Sequence, residues 1–194
     1  MYARLNNTDF RKLMWKAPKG TALYGMTPYI AGGDALVDYA SVKFRPANGD
    51  VEEPTVGAVS AYPLMRVEEM YFIEAEAAAR LGEGAGLLTD FMTTYRDSKY
   101  VCRATAPEDI LDEIVFQKRV ELWGEGQSFF DYKRLNMSVT RGYEGTNVSS
   151  DRTYNTNGRP AWMNICIVVT AKRYNIALEG WENPDPSGLY TPQY

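Results

Sequence analysis

From Pro63 onward the apolar residues of this chain recur at three- and four-residue spacing, which one face of an α-helix can bury and one face of a strand cannot. Val67, Met70, Tyr71, Ala77, Ala78 and Leu81 form the first stripe. Gly82 and Gly84 stop it, and Gly86 precedes a second set of Leu87, Leu88, Phe91, Met92 and Tyr95. The spacing predicts a helical hairpin, and Ala75, Ala77, Ala78 and Ala79 give it a small-residue face on which a neighbouring helix can pack closely, as in stacked helix pairs. Glu74 falls on the apolar stripe, so a buried carboxylate is expected there, with Arg119 or Arg66 as its partner.

A third helix is announced by Thr105-Ala106-Pro107-Glu108, where Thr105 can cap free amides, Glu108 can reach back, and Pro107 sits in the tolerant first turn. Ile110, Leu111, Ile114, Val115, Leu122 and Trp123 carry it to Gly124. Ser128, followed by Asp131, is placed to cap a shorter fourth helix through Leu135. The flanks read differently. Turn signals at Pro18-Lys19-Gly20, Gly32-Gly33-Asp34 and Asn48-Gly49-Asp50 make the first 62 residues ordered but irregular, with a possible short strand at Ala40 to Phe44. Arg141 to Pro160 is a long Asn-, Thr-, Ser- and Gly-rich loop of functional or mobile character. Ile165 to Val169 is β-branched, hence a strand by propensity, and Pro184, Pro186 and Pro192 keep the tail extended. With 194 residues, 45% of them apolar or aromatic, a single compact domain 1–194 is expected: an irregular 1–62, a helical core 63–136 and a loop-rich 137–194. The fold class is mainly α, with tetratricopeptide-like helical hairpins, long irregular loops and at most short strands.

A net charge of −4 with both signs interspersed offers no field for nucleic acid. The longest uncharged apolar run, Ala161 to Ala171, is too short to cross a bilayer, and no secretion signal opens the sequence. There is no histidine, and Cys102 and Cys166 have no ligand-spaced neighbours, so neither a metal site nor a cofactor is expected. Two buried free thiols are favoured over a single disulfide.

One stretch is physically odd. In Gln117-Lys118-Arg119-Val120-Glu121-Leu122-Trp123-Gly124-Glu125-Gly126, two carboxylates lie one turn apart at a helix carboxyl end, where exposed negative charge costs about 0.3–1 kcal/mol each. Arg119, Lys133 and Arg134 are the expected compensating cations, and with Glu74, Glu121, Glu125 and Asp131 they define a structural ion network. A solvated charged face remains open on physics alone. A glycosidase needs two carboxylates converging on one bond, one with a raised pKa. Glu74 and Glu76 point to different faces, and the corner explains Glu121 and Glu125 better, so a non-enzyme is expected.

This segment, with Ser128-Phe129-Phe130-Asp131-Tyr132-Lys133-Arg134 after it, resembles the signature helix-turn of the SusD/RagB family. Pro63-Leu64-Met65-Arg66 leading into Glu68-Glu69-Met70-Tyr71 and Glu74-Ala75-Glu76-Ala77 is similar to that family's preceding helix. Asp9-Phe10-Arg11, Asn183-Pro184 and Pro192-Gln193-Tyr194 are weaker matches. Gln127 stands where the family usually has arginine, and Tyr174-Asn175-Ile176-Ala177 where a proline turn is common. The resemblance implies the carboxyl-terminal portion of a longer outer-membrane lipoprotein of Bacteroidetes-type bacteria. Its lipid anchor would lie in an absent amino-terminal half. Such a protein binds a glycan without catalysis and delivers it to a SusC-like TonB-dependent transporter. Sugar capture needs flat aromatic faces with polar rims, for which Trp15, Tyr24, Tyr29 and Tyr39 are candidates, with Asp34 and Asp38 nearby. Trp162, Trp181 and Tyr143 are further options, although packing is the commoner role of each. The alternative is a helical-repeat scaffold that binds only protein, docking through Arg66 to Lys99.

Overall fold

The structure is a computed structural model that describes residues 1–27, 36–44 and 61–183, and the chain divides into two compact units, Met1–Glu125 and Gly126–Tyr194. Tyr29, the turns at Gly32-Gly33-Asp34 and Asn48-Gly49-Asp50, and the proline-rich tail from Pro184 lie outside the described residues. Five α-helices and several 3-10 turns occur among the described residues, with two isolated β-bridges.

In the first unit α1 (Val67–Ala79) packs against both α2 (Ala85–Tyr95) and α3 (Pro107–Glu121). Their shared core holds Phe72, Ala75, Ala79, Leu88, Phe91, Met92, Ile110 and Ile114. The hairpin between α1 and α2 needs glycine at position 84, where φ is +83° and an added Cβ would lie 2.6 Å from the Ala75 carbonyl oxygen. Ala75 and Ala79 are small because α2 starts against them. The buried face of α1 is Phe72-Ala75-Glu76-Ala79, whereas the expected stripe is largely solvent-facing at Val67, Met70, Tyr71, Ala77 and Leu81. Apolar residues surround this helix, so spacing alone admits either face. Glu74 follows the exposed face, and the buried acid of α1 is Glu76, paired with Arg80 at 2.8 Å.

The third helix begins at Pro107 as expected, but Ala106 is its N-cap and no side chain caps it. Thr105 stands one residue too early to close a capping box. A second core of Leu5, Trp15, Phe116 and Val120 joins the opposite side of α3 to the amino-terminal segment, which is irregular apart from 3-10 turns at Tyr2–Arg4 and Phe10–Met14. Ala40 to Phe44 is no strand; Ser41 forms a single antiparallel bridge with Trp15.

In the second unit α4 (Gln127–Arg134) starts after Gly126, whose φ of +83° serves the turn, so Ser128 lies inside the helix instead of capping it. The polar loop doubles back on itself at one bridge, Thr140 with Asn155. Among the described residues Ile165–Val168 has no partner strand to satisfy its backbone, and the chain turns helical in α5 (Val169–Tyr174) instead. Cys102 and Cys166 are half-buried thiols that share no disulfide. No helix among the described residues is long and apolar enough to cross a membrane.

Candidate functional site

At its carboxyl end α3 leaves carbonyls without intrahelical donors and a dipole that disfavours Glu121. The chain answers with four cations. Arg96 grips Glu121 from both sides, Nε to Oε2 at 2.7 Å and Nη2 to Oε1 at 2.9 Å. Arg66 Nη2 donates to Glu121 Oε1 at 2.7 Å and to the Glu121 carbonyl at 3.1 Å. Lys43 Nζ donates to the carbonyls of Glu121 at 2.8 Å and Trp123 at 2.9 Å and pairs with Glu125, which also lies 3.2 Å from Arg66 Nε. Arg11 Nη1 completes the ring at 3.4 Å from Glu121 Oε2, while its Nη2 donates to Asp9 at 2.7 Å. Glu68 takes Arg96 at 3.0 Å. Among the described residues four cations thus face four carboxylates, Asp9, Glu68, Glu121 and Glu125.

The Glu121 side chain is 4% exposed. Burial alone would raise its pKa, but the hydrogen bonds and charge of Arg96, with Arg11 and Arg66 behind, hold it at about 2. Burial lowers the Lys43 ammonium, partly offset by Glu125. An acid ionised throughout the neutral range, with both oxygens engaged by guanidiniums, is no proton donor. The corner is therefore a clamp holding the amino-terminal segment and α1 to the end of α3.

Glu121 and Glu125 are the expected members of this network, but their partners differ from those expected. Arg134 pairs with Asp131 on its own helix at 2.7 Å, Lys133 lies over the Phe129 ring, and Arg119 adds its charge near the amino terminus. Arg11, Lys43 and Arg96 come from as far as 110 residues away. A demand for cations is legible in the helix-end acids; their identity is not, except for the weak match at Asp9-Phe10-Arg11.

Among the aromatic candidates, Trp15 is core. It is 6% exposed and packed edge-on against Tyr2 and Trp123, so it has no face to offer a sugar. Tyr24 and Tyr39 are exposed, Tyr39 with its ring centroid 5.2 Å from that of Tyr2. A cleft of about 400 Å³ runs past Arg4, Asn6, Asp97, Tyr100 and Glu113. Its polar groups are largely spent on one another: Arg4 on Glu113 at 2.7 Å, Asn6 on Asp97 at 2.8 Å and Tyr100 on Glu113 at 3.1 Å.

A second cleft, of about 380 Å³, is lined by Arg141, Asp151, Arg152, Tyr154 and Trp162. Asn155 builds it: its side chain accepts from the Arg141 amide at 3.0 Å and the Gly142 amide at 2.9 Å, acting as an extra peptide group where the ladder ends. The Arg141 amide also donates to the Tyr154 carbonyl at 3.1 Å, which sets those two residues side by side. After Pro160 a 3-10 turn over Ala161–Met163 delivers Trp162, whose ring lies 6.2 Å from Tyr154 at 55°. The two rings make a concave aromatic wall. At its rim the Arg141 guanidinium stands 6.0 Å over Trp162, and Arg152 lies 3.6 Å from Asp151, whose carboxyl the Ser149 hydroxyl holds below its ordinary range. An apolar wall with a few convergent polar groups, at the small end of the roughly 300–1,000 Å³ of ligand sites, can bind the apolar C–H face and polar edge of a pyranose.

The SusD family model matches residues 39–188, a stretch that takes in both Glu121 and Trp162. Among solved structures the chain is similar to a SusD-like carbohydrate binding protein from Bacteroides vulgatus ATCC 8482, with 26% identity over 81% of this chain and a TM-score of 0.51. It spans about a third, 32%, of that protein's length. No curated protein matches it.

Proposed function

The chain belongs to the SusD family, and from that membership we propose that it binds oligosaccharide or polysaccharide at the bacterial cell surface without altering it. In this proposal the full-length protein is an outer-membrane lipoprotein that passes the glycan to a SusC-like TonB-dependent transporter. The carrying observation is the wall of Tyr154 and Trp162 with arginines at its edge, which matches the two-sided chemistry of a sugar ring. The carbohydrate binding named for the solved relative supports the same reading. Calorimetric titration with a panel of bacterial, plant and host polysaccharides tests it: saturable binding is expected, without hydrolysis products, and lost in Trp162→Ala. Binding unaffected by that substitution would move the site elsewhere, and turnover would refute the non-catalytic role.

A second reading, a helical scaffold that binds protein alone, draws on the exposed apolar side of α1 at Val67, Met70 and Ile73. Capture of a protein partner with no glycan signal across the panel would favour it.

A further inference from the structure

The chain carries a formal charge of −4, yet the cleft at Trp162 is lined by two guanidiniums and one carboxylate. That carboxylate is already engaged. Asp151 takes the Ser149 hydroxyl on one oxygen and lies 3.6 Å from Arg152 Nε on the other. Arg141 is different: among the described residues its guanidinium meets no carboxylate, and its fixed neighbour is the Trp162 ring. An arginine that no carboxylate among the described residues neutralises, held beside an aromatic wall, presents donors and no acceptor. A neutral sugar edge is read by donors and acceptors together, because each hydroxyl both gives and takes a hydrogen bond. Donors in excess suit a ligand that only accepts, and a planar guanidinium fork matches two oxygens of one anionic group.

Resting on the glycan reading of this cleft, we propose that its ligand is an acidic glycan whose uronate carboxylate or sulfate ester is taken by Arg141 while the pyranose ring lies against Trp162 and Tyr154. Arg152, tethered to Asp151, borders the same space, and a multiply charged chain can engage it in addition.

The test is titration of the 194-residue chain at physiological salt with oligosaccharides of polygalacturonate, alginate, hyaluronan and chondroitin sulfate. Each is offered native and discharged, by carboxyl reduction for uronates and by desulfation for sulfate esters, beside neutral glucans, xylans and mannans. At least one native acidic oligosaccharide is expected to bind, and discharging it to weaken binding about tenfold or more, the loss of one charge-assisted contact. Which treatment weakens it identifies the anion. Arg141→Met should reproduce that loss with an unchanged melting temperature, and Arg141→Lys should restore part of it. Equal binding of native and discharged forms, or Trp162-dependent binding of a neutral glycan alone, overturns the acidic ligand and leaves the glycan reading standing. Unaltered acidic binding by Arg141→Met also overturns it. No binding by any member of either set sinks both.

Discussion

Around Glu121, eight charged side chains among the described residues cancel in equal numbers, and none is more than 24% exposed. Around Trp162, Arg152 and Asp151 are 73% and 69% exposed and Arg141 has no carboxylate to meet among the described residues. Both clusters are built from arginine and carboxylate, and burial is what separates their fates. Out of water an unpaired charge is costly, so every member at the corner is committed to another and none is left for a ligand. In water an exposed pair is worth little, so its arginine can exchange the carboxylate for a ligand's anion. Charge-rich sequence motifs therefore mark structure when they end a packed helix, and in the proposal above they serve recognition when they edge an aromatic wall.

Breaking the corner should cost the most. Glu121→Gln leaves Arg11, Arg66 and Arg96 facing one another across a lost charge, and a loss of about 3–5 kcal/mol in urea-unfolding stability is expected. A loss below about 1 kcal/mol would mean the corner is wet. Acid should dissolve the same contrast gradually. The Glu121 pKa is depressed in the folded state, so its contribution is complete above about pH 4.5 and disappears as pH falls toward about 2. A depression from 4.5 to about 2 corresponds to about 3 kcal/mol. Stability curves at stepped pH should show that slope in wild type and lack it in Glu121→Gln.

How much of this was legible in the sequence differs between the two regions. The helix spans of the first unit follow from spacing and glycine stops, and the hairpin at Gly84 falls where Gly82 and Gly84 predict it. The face of α1 was not legible, because Phe72-Ala75-Ala79 and Val67-Met70-Tyr71 fit one period equally well. The demand for cations near Glu125 could be read, but Lys43 and Arg96 are joined to it only by tertiary folding. Trp15 and Trp162 are alike as residues in irregular segments, yet one is sealed by Tyr2 and Trp123 and the other is half-buried beside Tyr154 in the wall of a cleft. Local sequence carries no trace of that difference. Propensity misled at Ile165–Val168, since a strand needs a partner to take its hydrogen bonds.

Smaller effects sharpen the division. Gly84→Ala adds a side chain at positive φ against the backbone of α1, so about 2 kcal/mol or more of stability should go, read by thermal melting. Trp162→Ala, at a half-buried position in the second unit, should cost only about 1 kcal/mol of stability while glycan binding is lost. If its melting temperature falls as far as that of Glu121→Gln, the wall is core and the contrast fails.

A side-chain carbon NMR titration of Glu121 bears most directly on whether the corner is a clamp or a catalytic acid. A clamp gives a carboxyl that stays ionised down to about pH 2. Titration near pH 6, as for a general acid in an apolar pocket, would show that the arginines do not hold it.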